Sequence, residues 1–174
     1  MSVSKPMTED ELRGLVRHGA ITNFFINLVL NAGIVWALLS GAEALTAFGE
    51  EAYGPDLLIT GFLLSGIISA ITIMTHRSKV VKGTLGAPAF ASGGWLDSVA
   101  GWNHWATCLA IAALGTALSG VLLVVLAAAL PSLSVGSYAV GKGVYTGVLA
   151  AALVGPTTRI GLRLGTDSVA VATS

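Results

Sequence analysis

Long apolar runs separated by short polar segments form the dominant pattern of this chain. Four runs cover residues 20–40, 57–75, 105–130 and 144–164, and each ends at charged residues, glycine or proline. A helix needs about 20 apolar residues to cross the hydrocarbon core of a bilayer. The pattern therefore predicts an all-α fold, in which residues 1–174 form a single integral membrane four-helix bundle.

The charges between the runs predict how the bundle is oriented. Eight of the nine cations flank the same ends of the predicted spans: Lys5, Arg13, Arg17, Arg77, Lys79, Lys82, Arg159 and Arg163. The opposite ends carry one cation and four acids: Lys142, Glu43, Glu50, Glu51 and Asp56. Cytoplasmic loops are enriched in Lys and Arg, so both termini are expected on the cytoplasmic side.

Three segments outside the spans have their own patterns. Thr8 and Glu11 are spaced as a capping box, so a short helix is expected before the first span, either along the membrane interface or continuing into the span. The inner loop, residues 76–104, is rich in Gly, Ala and Ser and is expected to be an irregular or partly re-entrant surface segment. The tail after Gly165 is expected to be disordered unless a partner holds it.

The first run contains a column of three amides, Asn23, Asn27 and Asn31. Residues four apart advance about 400° around a helix, so the three side chains share one face. Side-chain amides in hydrocarbon need hydrogen-bond partners, because no water is present there. We therefore expect the column to face other helices or a hydrated cavity rather than lipid.

Two roles for this column stay open. In the first, the amides join helices through hydrogen bonds that are worth about 0.6 kcal/mol each. The expected partners are polar residues of the second and third spans: Thr60, Ser65, Ser69, Thr72, Thr75, Thr107, Thr116 and Ser119. In the second role, the amides line a polar path or hold the headgroup of a substrate.

Small residues recur at helix-packing spacing in the other three spans. They are Gly61, Ser65 and Ser69 in the second span, Gly115 and Ser119 in the third, and Gly143, Gly147, Ala151 and Gly155 in the fourth. Small residues four apart let helix backbones approach closely within a membrane. One bundle does not need all of these faces, so some are expected to bind a second copy or another membrane protein.

Composition narrows the range of functions. The chain is 54% hydrophobic and 10% charged. Its formal net charge is zero, and its sequence has no basic patch that would bind nucleic acid. The single cysteine, Cys108, excludes an internal disulfide and a cysteine-based zinc cluster. No acid lies inside a predicted span, which argues against a proton-driven pump and against paired catalytic carboxylates. We expect no catalytic residue, metal or cofactor, and bound membrane lipid is the one small ligand that the pattern favours.

Basic residues at the cytoplasmic ends of the spans suggest one ligand site. Arg159 follows Pro156 about one turn inside the end of the fourth span, and it either extends to the interface or turns inward. An inward Arg159 would complete a site for a lipid phosphate. That site would consist of Arg17, His18, His76, Arg77 and Arg159. His18, His76 and His104 also raise the hypothesis of pigment or haem binding.

Four stretches of the chain carry a resemblance to a known group of proteins. They are RHGAITNFFINLVLNAGIVWALL, DLLITGFLL, HRSK and YAVGKGVYTGVLAAALVGP. They resemble small bacterial four-span inner-membrane proteins that are often labelled permease-like without a demonstrated activity. The resemblance implies a multi-pass protein of the bacterial inner (cytoplasmic) membrane, and it carries over no substrate, cofactor or site residue.

Three functions follow from these patterns. The sequence favours a non-enzymatic membrane protein that acts as a packed subunit or oligomer of a membrane complex. The first alternative is a small permease or lipid-carrier transporter, in which the asparagines line a path and the basic cluster holds an anion. The second alternative is a pigment- or haem-binding membrane protein.

Overall fold

Four long helices make up most of the computed structural model, which describes residues 5–49, 51–86, 103–130 and 132–173. The helices are α1 (Glu9–Leu39), α2 (Tyr53–Val81), α3 (His104–Ala129) and α4 (Val135–Thr173). Each is long and apolar enough to cross a membrane, which suggests a multi-pass membrane protein. The predicted all-α fold is therefore confirmed.

The start of α1 follows directly from its sequence. The amide of Glu11 donates to Thr8 Oγ1 (3.3 Å), and the amide of Thr8 donates to Glu11 Oε2 (2.7 Å). This reciprocal capping box satisfies two amide groups that a helix N-terminus otherwise leaves free, so the predicted cap is confirmed. The helix then runs unbroken to Leu39, so the N-terminal segment continues into the first predicted span.

The last helix is longer at both ends than its apolar run. It begins at Val135, whereas the predicted span begins at residue 144, because Ser134 caps it: the amide of Ser137 donates to Ser134 Oγ (3.2 Å). The glycines of this region lower helix propensity and made it resemble a loop. The helix also continues to Thr173, so the prediction of a disordered tail after Gly165 is wrong.

The helices pack in an order that differs from their order in the chain. α1 packs along α4, α4 along α2, and α2 along α3. The α4 and α2 helices are parallel, since Lys142 contacts Asp56 near one end and Gly165 lies against Val80 near the other. Consequently α2 and α4 occupy the middle of the molecule, and α1 and α3 form its two edges.

The two ends of the bundle differ in character. At one end, β1 (Leu45–Thr46) pairs antiparallel with β2 (Ser132–Leu133) over a buried apolar cluster that includes Tyr53 and Tyr138. We call this the ribbon end. The other end carries Arg77, Arg159 and Arg163, and we call it the arginine end. The predicted irregular inner loop 76–104 begins too early, because α2 continues through Val81, and residues 87–102 of that loop lie outside the described part of the chain.

Candidate functional site

The asparagine column of α1 lies against α4 rather than against α2 or α3. Asn27 is buried, with 8% of its surface exposed, and Asn23 and Asn31 are partly buried. Each side-chain amide nitrogen donates to the carbonyl four residues earlier in its own helix, at distances of 2.9, 2.8 and 3.0 Å. The expectation that polar residues of the second and third spans bond these amides is therefore wrong.

One hydroxyl of α4 connects the column to its neighbouring helix. Thr146 Oγ1 lies 3.2 Å from the carbonyl oxygen of Asn27 and 2.9 Å from that of Lys142 in its own helix. The bond to α1 therefore uses the backbone of Asn27 and leaves its side-chain oxygen free. This bond anchors the middle of α1 to α4 at a point where both helices are buried.

Glycine and serine alternate in a reciprocal contact between α2 and α3. A Cβ atom added to Gly61 would collide with Ser119 Oγ, and one added to Gly115 would collide with Ser65 Oγ. Gly61 therefore faces Ser119 while Ser65 faces Gly115, as in an antiparallel pair with local two-fold symmetry. Ser119 Oγ also lies 2.6 Å from the hydroxyl of Tyr145, which connects this contact to α4. Ser69, one turn further along α2, is fully buried.

Glycines of α4 let two other helices approach its backbone. A Cβ atom on Gly143 would lie 2.7 Å from the carbonyl oxygen of Leu28, and one on Gly147 would lie 2.8 Å from that of Phe24. Gly161 makes a similar approach to the carbonyl of Ile73 in α2, at 2.7 Å. By contrast, Ala151 and Gly155 are only partly buried. These contacts make α4 the central helix, with α1 and α2 on different sides of it.

The third helix has a second small-residue side that no other helix of the described ranges covers. Its buried side carries Cys108, Ala112, Gly115 and Ser119 against α2. Its exposed side carries the alanine lane: Ala106, Ala110, Ala113 and Ala117. The two sets have the same spacing and are offset by two residues, which is about 200° around a helix. The alanine lane therefore lies on the outer edge of the molecule, and sequence reasoning missed it because alanine is common throughout this chain.

The predicted lipid-phosphate residues lie mostly at the protein surface. Arg17, His18, Arg77 and Arg159 are exposed, and His76 is partly buried. Arg77 donates to Ser168 Oγ (3.3 Å), and His76 Nδ1 donates to the carbonyl of Thr72 in its own helix (2.8 Å). The exposed position of Arg159 matches the alternative in which its side chain extends outward.

A buried ion pair at the ribbon end was not predicted. Lys142 Nζ lies 2.7 Å from both carboxylate oxygens of Asp56, and the hydroxyl of Tyr138 donates to Asp56 Oδ2 at 2.5 Å. The Lys142 side chain is 3% exposed, whereas that of Asp56 is 39% exposed. Asp56 lies in the first turn of α2, where the helix dipole favours a negative charge. The sequence signal that could have revealed this pair is the presence of a single cation among four acids at these ends of the predicted spans.

Neither metal ligands nor known relatives add to this description. Within the described ranges, no three His, Cys, Asp or Glu side chains converge as metal ligands would. Comparison with protein-family models, curated proteins and solved structures finds no match to this chain. The site features above therefore rest on this chain alone.

Proposed function

We propose that this chain is a non-enzymatic integral membrane protein that acts as a packed oligomer, or as a subunit of a larger membrane complex. It spans the bacterial inner membrane four times, with the arginine end and both termini on the cytoplasmic side. The charge distribution supports this orientation, because eight of nine cations flank one set of helix ends.

The alanine lane of α3 is the observation that carries the proposal. Lipid tails and a neighbouring helix are equally favourable surroundings for a leucine side chain. Helices therefore associate in membranes mainly where small residues let backbones pack closely. The buried side of α3 shows this use, since Gly115 and Ser119 bring α2 into close contact. The same spacing of small residues recurs on the opposite, uncovered side. We infer that this side receives a second α3 helix from another copy.

The small residues identified in the sequence support the proposal in a different way from the one expected. Gly61 and Gly115 close the contact between α2 and α3, and Gly143 and Gly147 close that between α1 and α4. These four are therefore used inside one chain. The surface left for a partner is the alanine lane, which is flanked by exposed leucines such as Leu109 and Leu114 that can interlock with a neighbouring helix.

Disulfide cross-linking in native membranes tests this interface. Cys108 is first replaced by Ala, and Ala113→Cys is compared with Leu30→Cys on the exposed side of α1. Two copies with the same orientation hold their α3 helices parallel, so Ala113→Cys is expected to give a covalent dimer on mild oxidation. Leu30→Cys, which is 56% exposed, controls for random collision and is expected to stay monomeric. Equal cross-linking at both positions, or none at Ala113→Cys, contradicts the contact between the α3 helices of two copies.

A further inference from the structure

The side-chain oxygens of the asparagine column have no hydrogen-bond partner among the described residues. The orientation of each amide is fixed by chemistry, because its nitrogen lies 2.8–3.0 Å from a backbone carbonyl and only an N–H group can donate there. Each Oδ1 atom must therefore point away from its own helix backbone. The result is a row of three acceptors along the seam where α1 meets α4.

Free acceptors at this depth are unfavourable unless a donor reaches them. A buried acceptor without a hydrogen bond costs on the order of 1–3 kcal/mol, and this row contains one buried and two partly buried amide oxygens. Asn27 is the most deeply placed, at 8% exposed. Among the described residues, four side-chain hydroxyls are fully buried without a hydrogen-bond partner: those of Tyr53, Ser65, Ser69 and Thr158. The asparagine oxygens are not fully buried in this way. They therefore keep a small surface that a donor molecule can contact.

Water is the donor that fits the spacing of this row. Residues four apart in a helix are separated by about 6 Å along the axis. Two successive hydrogen bonds between water molecules, at about 2.8 Å each, cover nearly the same distance. A file of water molecules can therefore bond one asparagine oxygen after another. The alternative donor, a helix of another protein, would need its own donor side chains at the same spacing as the three asparagines.

One hydroxyl fixes the level of the row along α4. Thr146 Oγ1 bonds to the backbone carbonyl of Asn27 and to that of Lys142, so Asn27 and Lys142 lie at the same level of α4. The Lys142 side chain is directed instead to Asp56 of α2, on another side of α4. The asparagine oxygens are therefore the acceptors of this seam that remain without a donor within the described ranges.

We propose that the seam between α1 and α4 is hydrated, with water bonded to Oδ1 of Asn23, Asn27 and Asn31. The seam binds water and other small hydrogen-bond donors, and it excludes larger solutes because Gly143 and Gly147 hold α1 close to α4. This hydration is independent of the proposed oligomer.

Cysteine accessibility in sealed vesicles tests the proposal directly. In the Cys108→Ala background, Asn27→Cys and Asn31→Cys are treated with a small, charged methanethiosulfonate reagent, and Leu30→Cys is the matched control. The reactive thiolate forms only where water is present, so the asparagine positions are expected to react at least about tenfold faster than the control. Equal rates at Asn31→Cys and Leu30→Cys overturn the hydrated seam.

A measurement on the unmodified chain covers the case in which a substitution prevents folding. The sequence has four asparagines and no glutamine, so its side-chain amide signals come only from Asn23, Asn27, Asn31 and Asn103. Water-edited solid-state NMR should show magnetisation transfer from water to all four, with the exposed Asn103 as the positive control. Transfer to Asn103 alone overturns the proposal. Neither experiment depends on cross-linking at Ala113, so this inference and the proposed oligomer fail separately.

Discussion

Asp56→Asn and Lys142→Met are expected to destabilise the protein by clearly different amounts, although they break the same ion pair. The structure sets this difference, because the Lys142 side chain is 3% exposed and the Asp56 side chain is 39% exposed. Removing the carboxylate leaves a charged ammonium buried between helices. Removing the ammonium leaves a carboxylate that solvent already reaches.

The magnitudes follow from that difference. Loss of one partner of a buried pair costs about 3–5 kcal/mol, so Asp56→Asn is expected to lose an amount in this range. After Lys142→Met, Asp56 keeps its bond from Tyr138 and its place at the start of α2. We expect a loss of about 1 kcal/mol, comparable to that of one ordinary hydrogen bond. The double variant carries no isolated buried charge and is expected to be more stable than Asp56→Asn alone.

The assay is reversible unfolding in mixed micelles with increasing SDS, followed by far-ultraviolet circular dichroism. The wild type, both single variants and the double variant complete a thermodynamic cycle, which isolates the interaction between the two side chains. Equal losses for the two single variants would refute the argument from burial. A double variant less stable than Asp56→Asn would show that the pair itself, and not the isolated ammonium, dominates the energy.

Three further predictions concern packing and capping, and the first two use the same unfolding assay. Gly115→Ala should cost about 1–3 kcal/mol through its collision with Ser65, whereas Gly120→Ala, whose added Cβ would lie 3.8 Å from Leu58 Cδ2, should be neutral or stabilising. Gly143→Ala should destabilise the contact between α1 and α4, while Gly141→Ala, which meets nothing within 4 Å, should not; equal effects would contradict the assigned contact. Thr8→Ala should cost about 1 kcal/mol and speed amide exchange in the first turn of α1, and unchanged exchange would show that the capping box is not formed.

The number and type of helices could be predicted because both depend on local sequence. An apolar run of about 20 residues is enough to indicate a membrane helix, and Thr8 with Glu11 is enough to indicate where the first helix begins. The start of the last helix was harder to predict. Its first turns contain several glycines, and only the cap at Ser134 and the packing of Tyr138 show that the segment is helical.

The partners of the polar residues could not be predicted, because they depend on which helices are neighbours. The asparagine column was matched with the second and third spans, but α1 packs on α4, and this order is not encoded in any local pattern. The ion pair was missed for the same reason. The predicted fourth span began at residue 144 and left Lys142 outside it, and only the helix that begins at Val135 turns its side chain toward Asp56.

The alanine lane of α3 illustrates a different difficulty. Alanine is frequent throughout the apolar runs, so the spacing of Ala106, Ala110, Ala113 and Ala117 carries little information by itself. It becomes informative once the structure shows that Gly115 and Ser119, on the opposite side, already hold α2. The uncovered side then requires an explanation of its own.

The mass of the intact particle, measured by native mass spectrometry after extraction in mild detergent, tests the proposed packing function most directly. One chain has a mass of 17.6 kDa. We predict a particle that contains at least two such chains, or one chain with another protein in fixed stoichiometry, and that keeps this composition on dilution. A particle of one 17.6 kDa chain with only lipid and detergent bound would contradict the account.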